Sequence, residues 1–188
     1  EAFDLYLIGT EHKHLFTPAD LELATKYYLQ AVALDPGFAK AWASLSIVQS
    51  FLSSLATTPE ALASILAEQR SYIEHAVAAD PDFLEARVLL AEAYGRMNWL
   101  NADPDGQFAA KARQLVADIV QRWPERPQAQ LAQGQLLYNL ERDYTQALVH
   151  FTAARERLPN DPVLLSSLSG SYKRLGRAEE QLATENRL

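Results

Sequence analysis

Apolar residues recur at intervals of three and four along nearly the whole chain, and no segment alternates convincingly, so the pattern predicts helices throughout. The first covers roughly residues 1–15, with Phe3, Tyr6, Leu7 and Thr10 at turn spacing. Thr17-Pro18-Ala19-Asp20 then restarts the chain: Thr17 can cap, Pro18 suits the first helical position, and Asp20 suits the positive helix N-terminus. That helix reaches about Leu34, where Asp35-Pro36-Gly37 breaks it. A third, over residues 38–53, carries Trp42, Leu45, Val48 and Leu52 on one face. Thr58-Pro59-Glu60 repeats the Thr-Pro start and opens a long helix to Ala79, which Asp80-Pro81 ends. Residues 83–97 form the next helix, followed by a loop at 98–102. Asp103-Pro104 opens a helix to Trp123, and Arg126-Pro127 opens one to Leu140, though Arg is a poor cap. Asp143 caps the following helix, Asn160-Asp161-Pro162 begins one that reaches Leu175 before Gly176, and the last runs over residues 178–188. Ten helices with short connections imply stacked antiparallel pairs.

The second helices share a spacing. Ala24, Tyr28, Ala31 and Pro36 are followed by Gln69, Ile73, Ala76 and Pro81, then Ala112, Val116, Ile119 and Pro124, then Ala147, Phe151, Ala154 and Pro159. These sets share increments of four, three and five, and the chain end offers Gln181, Glu185 and Leu188 at the first two of them. Positions four and three apart lie on one helical face. A small residue lets the partner helix approach, a large one fills the next gap, and proline ends the helix. The first helices agree: Trp42, Arg87 and Leu165 sit six residues after a repeat proline, Leu45, Leu90 and Leu168 nine, and Tyr94 and Tyr172 thirteen.

This pattern resembles the tetratricopeptide repeat (TPR), a helix–turn–helix unit of about 34 residues. The unit with Gly134, Ala147, Phe151, Ala154 and Pro159 is the nearest match. The resemblance spans essentially the whole chain and implies an all-α, right-handed superhelix, a single array with units at about 1–36, 37–81, 82–124 and 125–159 and a partial unit at 160–188. The repeat prolines lie 45, 43 and 35 residues apart, so units two and three carry extra length around Ser53–Thr58 and Asn98–Gly106. Gln69 replaces the usual small residue, which predicts looser packing in unit two. The opening stretch EAFDLYLIGTEHKHLF and the later RDYTQALVHFTAARERLPNDP are also similar to repeat regions of bacterial multidomain signalling proteins. In those proteins such a region follows an adenylate cyclase, winged-helix DNA-binding or kinase domain. That resemblance favours a cytoplasmic location, or a periplasmic one if the parent is a membrane-anchored winged-helix regulator. The chain does not begin with Met and ends in mid-pattern, as expected of a piece of a longer protein.

A net charge of −7 argues against a nucleic-acid partner or an anionic membrane surface, which need a basic face. With no cysteine, thiolate catalysis, disulfides and cysteine-held zinc are excluded. No apolar run is long enough to insert into a membrane. His12, His14, His75 and His150 lack metal-ligand spacing, and no P-loop or Gly-rich fingerprint is present. Glu68, Glu74 and Glu179-Glu180 read as solvated helix faces, and Ser166, Ser167, Ser169 and Ser171 as close helix packing. No catalytic group and no cofactor is implied.

The resemblance places a partner groove on the first helices. Carried over position by position, its lining is Tyr6, Thr10 and Lys13; Ala43, Ile47 and Ser50; Val88, Glu92 and Arg96; Leu131, Gln135, Tyr138 and Asn139; and Ser166, Lys173 and Arg174. The Lys and Asn clamp by which chaperone-binding relatives hold a terminal carboxylate is absent, since Ala43, Ile47, Val88 and Glu92 stand there. The expected partner is a protein or peptide segment, with Arg96, Lys173 and Arg174 favouring an acidic one. Trp42, Tyr94, Tyr28 and Phe151 are expected in the core, and Trp99 is a candidate contact residue. The expected function is a non-catalytic interaction module regulating an attached domain. The alternative is self-association, a homodimer formed through the C-terminal helices with Leu182 and Leu188.

Overall fold

Two Asp-Pro turns show how the local chemistry builds the pairs. After Pro18–Leu34 (α2), the carboxylate of Asp35 accepts the N–H of Gly37 at 3.0 Å. After Pro59–Ala79 (α4), Asp80 accepts the N–H of Asp82 at the same distance. In each turn the proline carbonyl accepts a bond from the residue six positions on. Trp42 Nε1 donates to Pro36 at 2.9 Å, and Arg87 Nη1 to Pro81 at 3.0 Å. A tryptophan and an arginine therefore do one job, tying the new helix to the turn that launched it.

The computed structural model describes residues 1–99 and 104–186, the last two residues of the first stretch by their backbone alone. Among these residues the chain is all α, with ten α-helices. The remainder are Ala2–Leu15 (α1), Ala39–Ser53 (α3), Leu84–Trp99 (α5), Gln107–Arg122 (α6), Pro127–Leu136 (α7), Tyr144–Arg155 (α8), Pro162–Arg174 (α9) and Ala178–Glu185 (α10). A short π-helical segment, Leu137–Glu141 (π1), continues α7. Helix α1 packs on α2, α3 on α4, α7 on α8 and α9 on α10. The chain divides into two compact bodies, Glu1–Ala93 and Tyr94–Leu188.

Four side chains cap helices as the sequence predicts. Thr17, Thr58, Asp143 and Asp161 each accept the backbone N–H three residues on, at 2.9–3.1 Å. Gly176 adopts φ 72°, and the N–H groups of Gly176 and Arg177 close onto the carbonyls of Lys173 and Tyr172, the paired bonds of a Schellman stop. Arg126 makes no side-chain cap bond.

The repeated spacing is a burial pattern. Ala24, Tyr28, Ala31, Ile73, Ala76, Ala112, Ile119, Ala147, Phe151 and Ala154 are all fully buried, and Val116 and Gln69 nearly so. The first helix yields where the large residue arrives. A methyl group on Gly134 would lie 2.5 Å from Phe151, and one on Gly9 would lie 2.9 Å from Tyr28. The extra length of the second pair goes partly into α4, which reaches 21 residues.

The structure departs from expectation at five places. Helix α5 runs on to Trp99 instead of stopping at Met97; residues 100–103, the side chain of Trp99 and Leu188 lie outside the described residues. Helix α6 begins at Gln107, not at Pro104: Pro104 and Asp105 form a turn, and Gly106, at φ 65°, takes the left-handed conformation before the helix. The helix expected to reach Leu140 changes to π geometry after Leu136. Trp42 is half-buried rather than core, because its ring lies across His75 and Tyr72 of α4 while its N–H stays at the turn. Helix α10 does not copy the other second helices. Glu185, at the Phe151 position, is exposed and accepts Ser169 Oγ at 2.8 Å, so a polar tie replaces the aromatic plug.

Candidate functional site

The expected groove residues of the first body lie on α1, α3 and α5 and differ in character. Tyr6 is half-buried in an aromatic cluster with Phe3, Tyr28 and Phe38, at centroid distances of 6.1, 5.7 and 5.0 Å. Burial pushes the Tyr28 phenol up, against the opposing hydrogen bonds of Thr10 and Ser44. Thr10 is bonded to both the Tyr6 carbonyl and the Tyr28 hydroxyl. Tyr6 and Thr10 therefore hold the first pair together. Lys13 is half-buried, and desolvation lowers its pKa. Ile47, Ser50 and Glu92 are half-buried, while Ala43 and Val88 are interior residues with almost no surface to offer.

In the second body several of the expected residues converge on π1. A π turn is wider than an α turn and is often found where a helix does something specific. Here it sends two consecutive side chains to two neighbouring helices. Asn139 packs on α5, where a methyl group on Gly95 would lie 3.3 Å from its Cβ and 3.5 Å from its Nδ2. Tyr138 packs on α9, where a methyl group on Gly170 would lie 3.0 Å from its hydroxyl. Tyr138 also meets Tyr144 edge to face at 5.1 Å. Its hydroxyl is hydrogen-bonded to the Arg174 guanidinium, which raises the pKa of that already basic group. The π turn ends at Arg142 in a left-handed conformation, φ 56°, with the Asp143 N–H bonded back to the Leu137 carbonyl at 3.1 Å.

One turn before Tyr138 and Asn139, on the same helical face, stands Gln135. It is only 5% exposed, and its Oε1 is buried without a hydrogen-bond partner among the described residues. Such an oxygen is costly and needs a reason. Leu131, one turn earlier again, is buried too, so Leu131 and Gln135 floor this face rather than rim it. Ser166, Lys173 and Arg174 are exposed on α9, and Arg96, beside Gly95, is half-buried on α5.

Charge is unevenly divided between the bodies. The first holds 5 Lys and Arg against 13 Asp and Glu, a net −8; the second holds 12 against 11, a net +1. The stretch from Tyr94 to Trp99, α7, π1 and α9 together carry a single carboxylate, Glu141, which Arg113 of α6 engages at 3.0 Å. Glu92 precedes this stretch by a few residues, at the end of the first body.

No group of three or more His, Asp or Glu side chains among the described residues could hold a metal ion. His12 bonds Asp20 at 2.9 Å, His75 the Ser71 carbonyl at 2.7 Å, and His150 Gln130 at 2.8 Å. Ser167 and Ser171 bond carbonyls one turn back and Ser171 is fully buried, as packing requires, whereas Ser169 bonds the Glu185 carboxylate and Ser166 is exposed. Glu68, though exposed, does more than face solvent, since it accepts the buried Gln49 amide at 3.0 Å. No described helix is long and apolar enough to cross a membrane.

The contributors that sequence reasoning missed are Gly95, Gly170 and Tyr144. A signal for the glycines existed, since each occupies a first helix where an ordinary residue would be helix-stabilising. Tyr144 had no signal apart from its place beside the Asp143 cap.

No family model matches the chain, and no curated protein matches it. Solved structures do. A thermophilic TPR protein of Thermus thermophilus superposes with a TM-score of 0.73 at 19% identity, covering 98% of this chain and 88% of that one. YrrB, described as a TPR protein with an unusual peptide-binding site, gives 0.54 at 17% identity over 100% of this chain and 84% of its own. MamA gives 0.54 at 12% identity over 99% of this chain and 88% of its own. The chain therefore has the tetratricopeptide-repeat solenoid fold that its four-three-five spacing implies.

Proposed function

We propose that this chain is a non-catalytic protein-interaction module that docks a partner segment on the first helices of its pairs and thereby regulates an attached signalling or transcription domain. The observation that carries the docking is the face around π1, where Tyr138 and Asn139 reach two neighbouring helices above the unpartnered oxygen of Gln135. Side-chain amides offer both a donor and an acceptor, which matches a peptide group, and an aromatic ring supplies contact area at low entropic cost. The peptide-binding site ascribed to YrrB, on the same fold, supports the reading. The regulatory part rests on the similarity of the opening and RDY–PND stretches to repeat regions beside catalytic or DNA-binding domains.

Selection from a random-peptide display library tests it, with NMR mapping of the selected peptide. Shifts confined to α5, π1 and α9 residues such as Asn139 and Gly170 are expected. Shifts confined to α6 and α8, or a selection that enriches nothing, would overturn it.

Self-association is favoured by one observation, the 61% exposure of Leu182 on α10. A dimer in light scattering that Leu182→Glu dissolves would establish it; a monomer at high concentration would remove it.

A further inference from the structure

The basic and amide-bearing face of the second body points to a more specific occupant. We infer that this face, built from Arg96, Gln135, Tyr138, Asn139, Lys173 and Arg174, binds an extended acidic peptide segment. The inference rests on the docking reading and adds the chemistry of the partner.

Three independent features converge. The first is charge. In a protein of net −7, the stretch from Tyr94 to Trp99, α7, π1 and α9 carry Arg96, Lys173 and Arg174, and their one carboxylate, Glu141, is engaged by Arg113 of α6; Glu92 lies one turn before Arg96 on α5. An approaching carboxylate therefore meets guanidinium and ammonium groups. Guanidinium recognises carboxylate through parallel, charge-assisted bonds, which are stronger than neutral ones.

The second is the buried Oε1 of Gln135. It needs a donor, and an extended peptide presents a backbone N–H at every second residue on one side. Asn139, one turn on, has an amide of the same kind. Two amides one helical turn apart stand about 6 Å from each other. That is close to the two-residue repeat of an extended strand, about 6.8 Å. The partner's main chain can thus bond Asn139, and Gln135 once its side chain turns outward from the floor, while the partner's acidic side chains reach the flanking cations.

The third is positioning. Tyr138 is seated against Gly170, braced edge-on by Tyr144, and bonded to Arg174. Arg174 is exposed, yet its guanidinium is held by a tyrosine that the π turn fixes. A cation oriented in advance loses less entropy on binding than one that swings freely. Glycine at 95 and at 170 leaves room for this arrangement, because a methyl at either place would stand 3.3 Å from Asn139 or 3.0 Å from Tyr138 and push that side chain by a few tenths of an ångström.

The test uses the whole chain and two fluorescein-labelled peptides read by anisotropy. In one, Glu alternates with Val and Ala; in the other, each Glu is replaced by Gln. The Glu peptide should bind roughly ten-fold more tightly, an advantage that shrinks as salt rises. Arg174→Gln and Arg96→Gln should each reduce that advantage. Gln135→Met should weaken both peptides alike, because it removes a main-chain contact and no charge. Thermal melts confirm that each variant is folded. Gly170→Ala supplies a second, charge-neutral way to disturb the face, and it should weaken the Glu peptide more than the Gln peptide. Equal binding of the two peptides, or a preference unchanged in the folded Arg variants, would overturn the acidic assignment and leave docking standing. Preferential binding of labelled oligoadenylate RNA would overturn it as well. Failure of both peptides, together with a display selection that enriches nothing, would remove the docking reading itself.

Discussion

Replacing Gly134 by Ala sets two well-measured effects against each other. Gly134 lies in the interior of α7, where glycine is about 1 kcal/mol less favourable than alanine. Propensity alone would make the variant more stable. The structure argues the reverse. The added methyl would sit 2.5 Å from Cε1 and 2.6 Å from Cδ1 of Phe151, about 1 Å inside the usual carbon–carbon separation. Phe151 is fully buried between α7 and α8 and cannot swing away, so the helices must part or the ring must leave its rotamer. Overpacking of this kind costs roughly 1–3 kcal/mol, and a clash with two ring carbons belongs at the upper end. The net expectation is a loss of about 2 kcal/mol, or a melting temperature lower by roughly 4–8 °C for a chain of this size.

Calorimetry and urea titration on Gly134→Ala, Phe151→Leu and the double variant measure the effect. Leucine shortens the ring, so Gly134→Ala should cost less in the Phe151→Leu background, with a coupling of about 1 kcal/mol or more. Gly9→Ala, whose methyl would stand 2.9 Å from a ring edge of Tyr28, should cost less than Gly134→Ala. A Gly134→Ala variant that melts above the parent would refute the claim that close approach explains this glycine.

Other outcomes follow from single sites. Gly176→Ala puts a Cβ at φ 72° and should cost about 1 kcal/mol by chemical denaturation, although nothing crowds the site. The carboxyl of Asp20 is held below its ordinary pKa, first by the Thr17 hydroxyl and then by His12. Its contribution is therefore present above the ordinary Asp range and lost as pH falls through the depressed pKa. Asp20→Asn should melt lower than the parent at neutral pH, and the two curves should converge in acid. Gln135→Met should stabilise the free chain by about 1 kcal/mol in a urea titration, because it deletes a buried oxygen without a partner.

The parts of the fold that sequence made legible are those decided locally. Thr17, Thr58, Asp143 and Asp161 cap because their side chains reach an N–H three residues away, whatever surrounds them. The buried alanines of α2, α6 and α8 were legible from spacing, because a helix face is fixed by arithmetic. The π turn was not. The segment LYNLE has ordinary helical composition, and its geometry is coupled to packing across three helices, with Tyr138 on Gly170 and Asn139 on Gly95. The start of α6 was misplaced because Asp103-Pro104 and Asp105-Gly106 both read as punctuation, and only the chain path selects between them. Glu185 fell on an aromatic position by increment alone, and its carboxylate was the signal against that alignment.

For the candidate site, Gln135, Tyr138 and Asn139 were named together because the repeat resemblance places a groove on the first helices. That Gln135 floors the face, while Lys173 and Arg174 stand exposed, depends on helix contacts. The division of charge was available in the sequence, but a single total of −7 conceals a −8 body and a +1 body.

The central claim is that this chain works by holding a partner segment on the first helices around π1. Photo-crosslinking tests it most directly. A library-selected peptide carrying a benzophenone is irradiated with the intact chain, and the adducts are located by mass spectrometry. Adducts on Tyr138, Asn139 and the α9 residues flanking Arg174 are predicted, lost when unlabelled peptide competes. Adducts confined to α6 and α8, at exposed positions such as Val120 and Val149, would contradict the account.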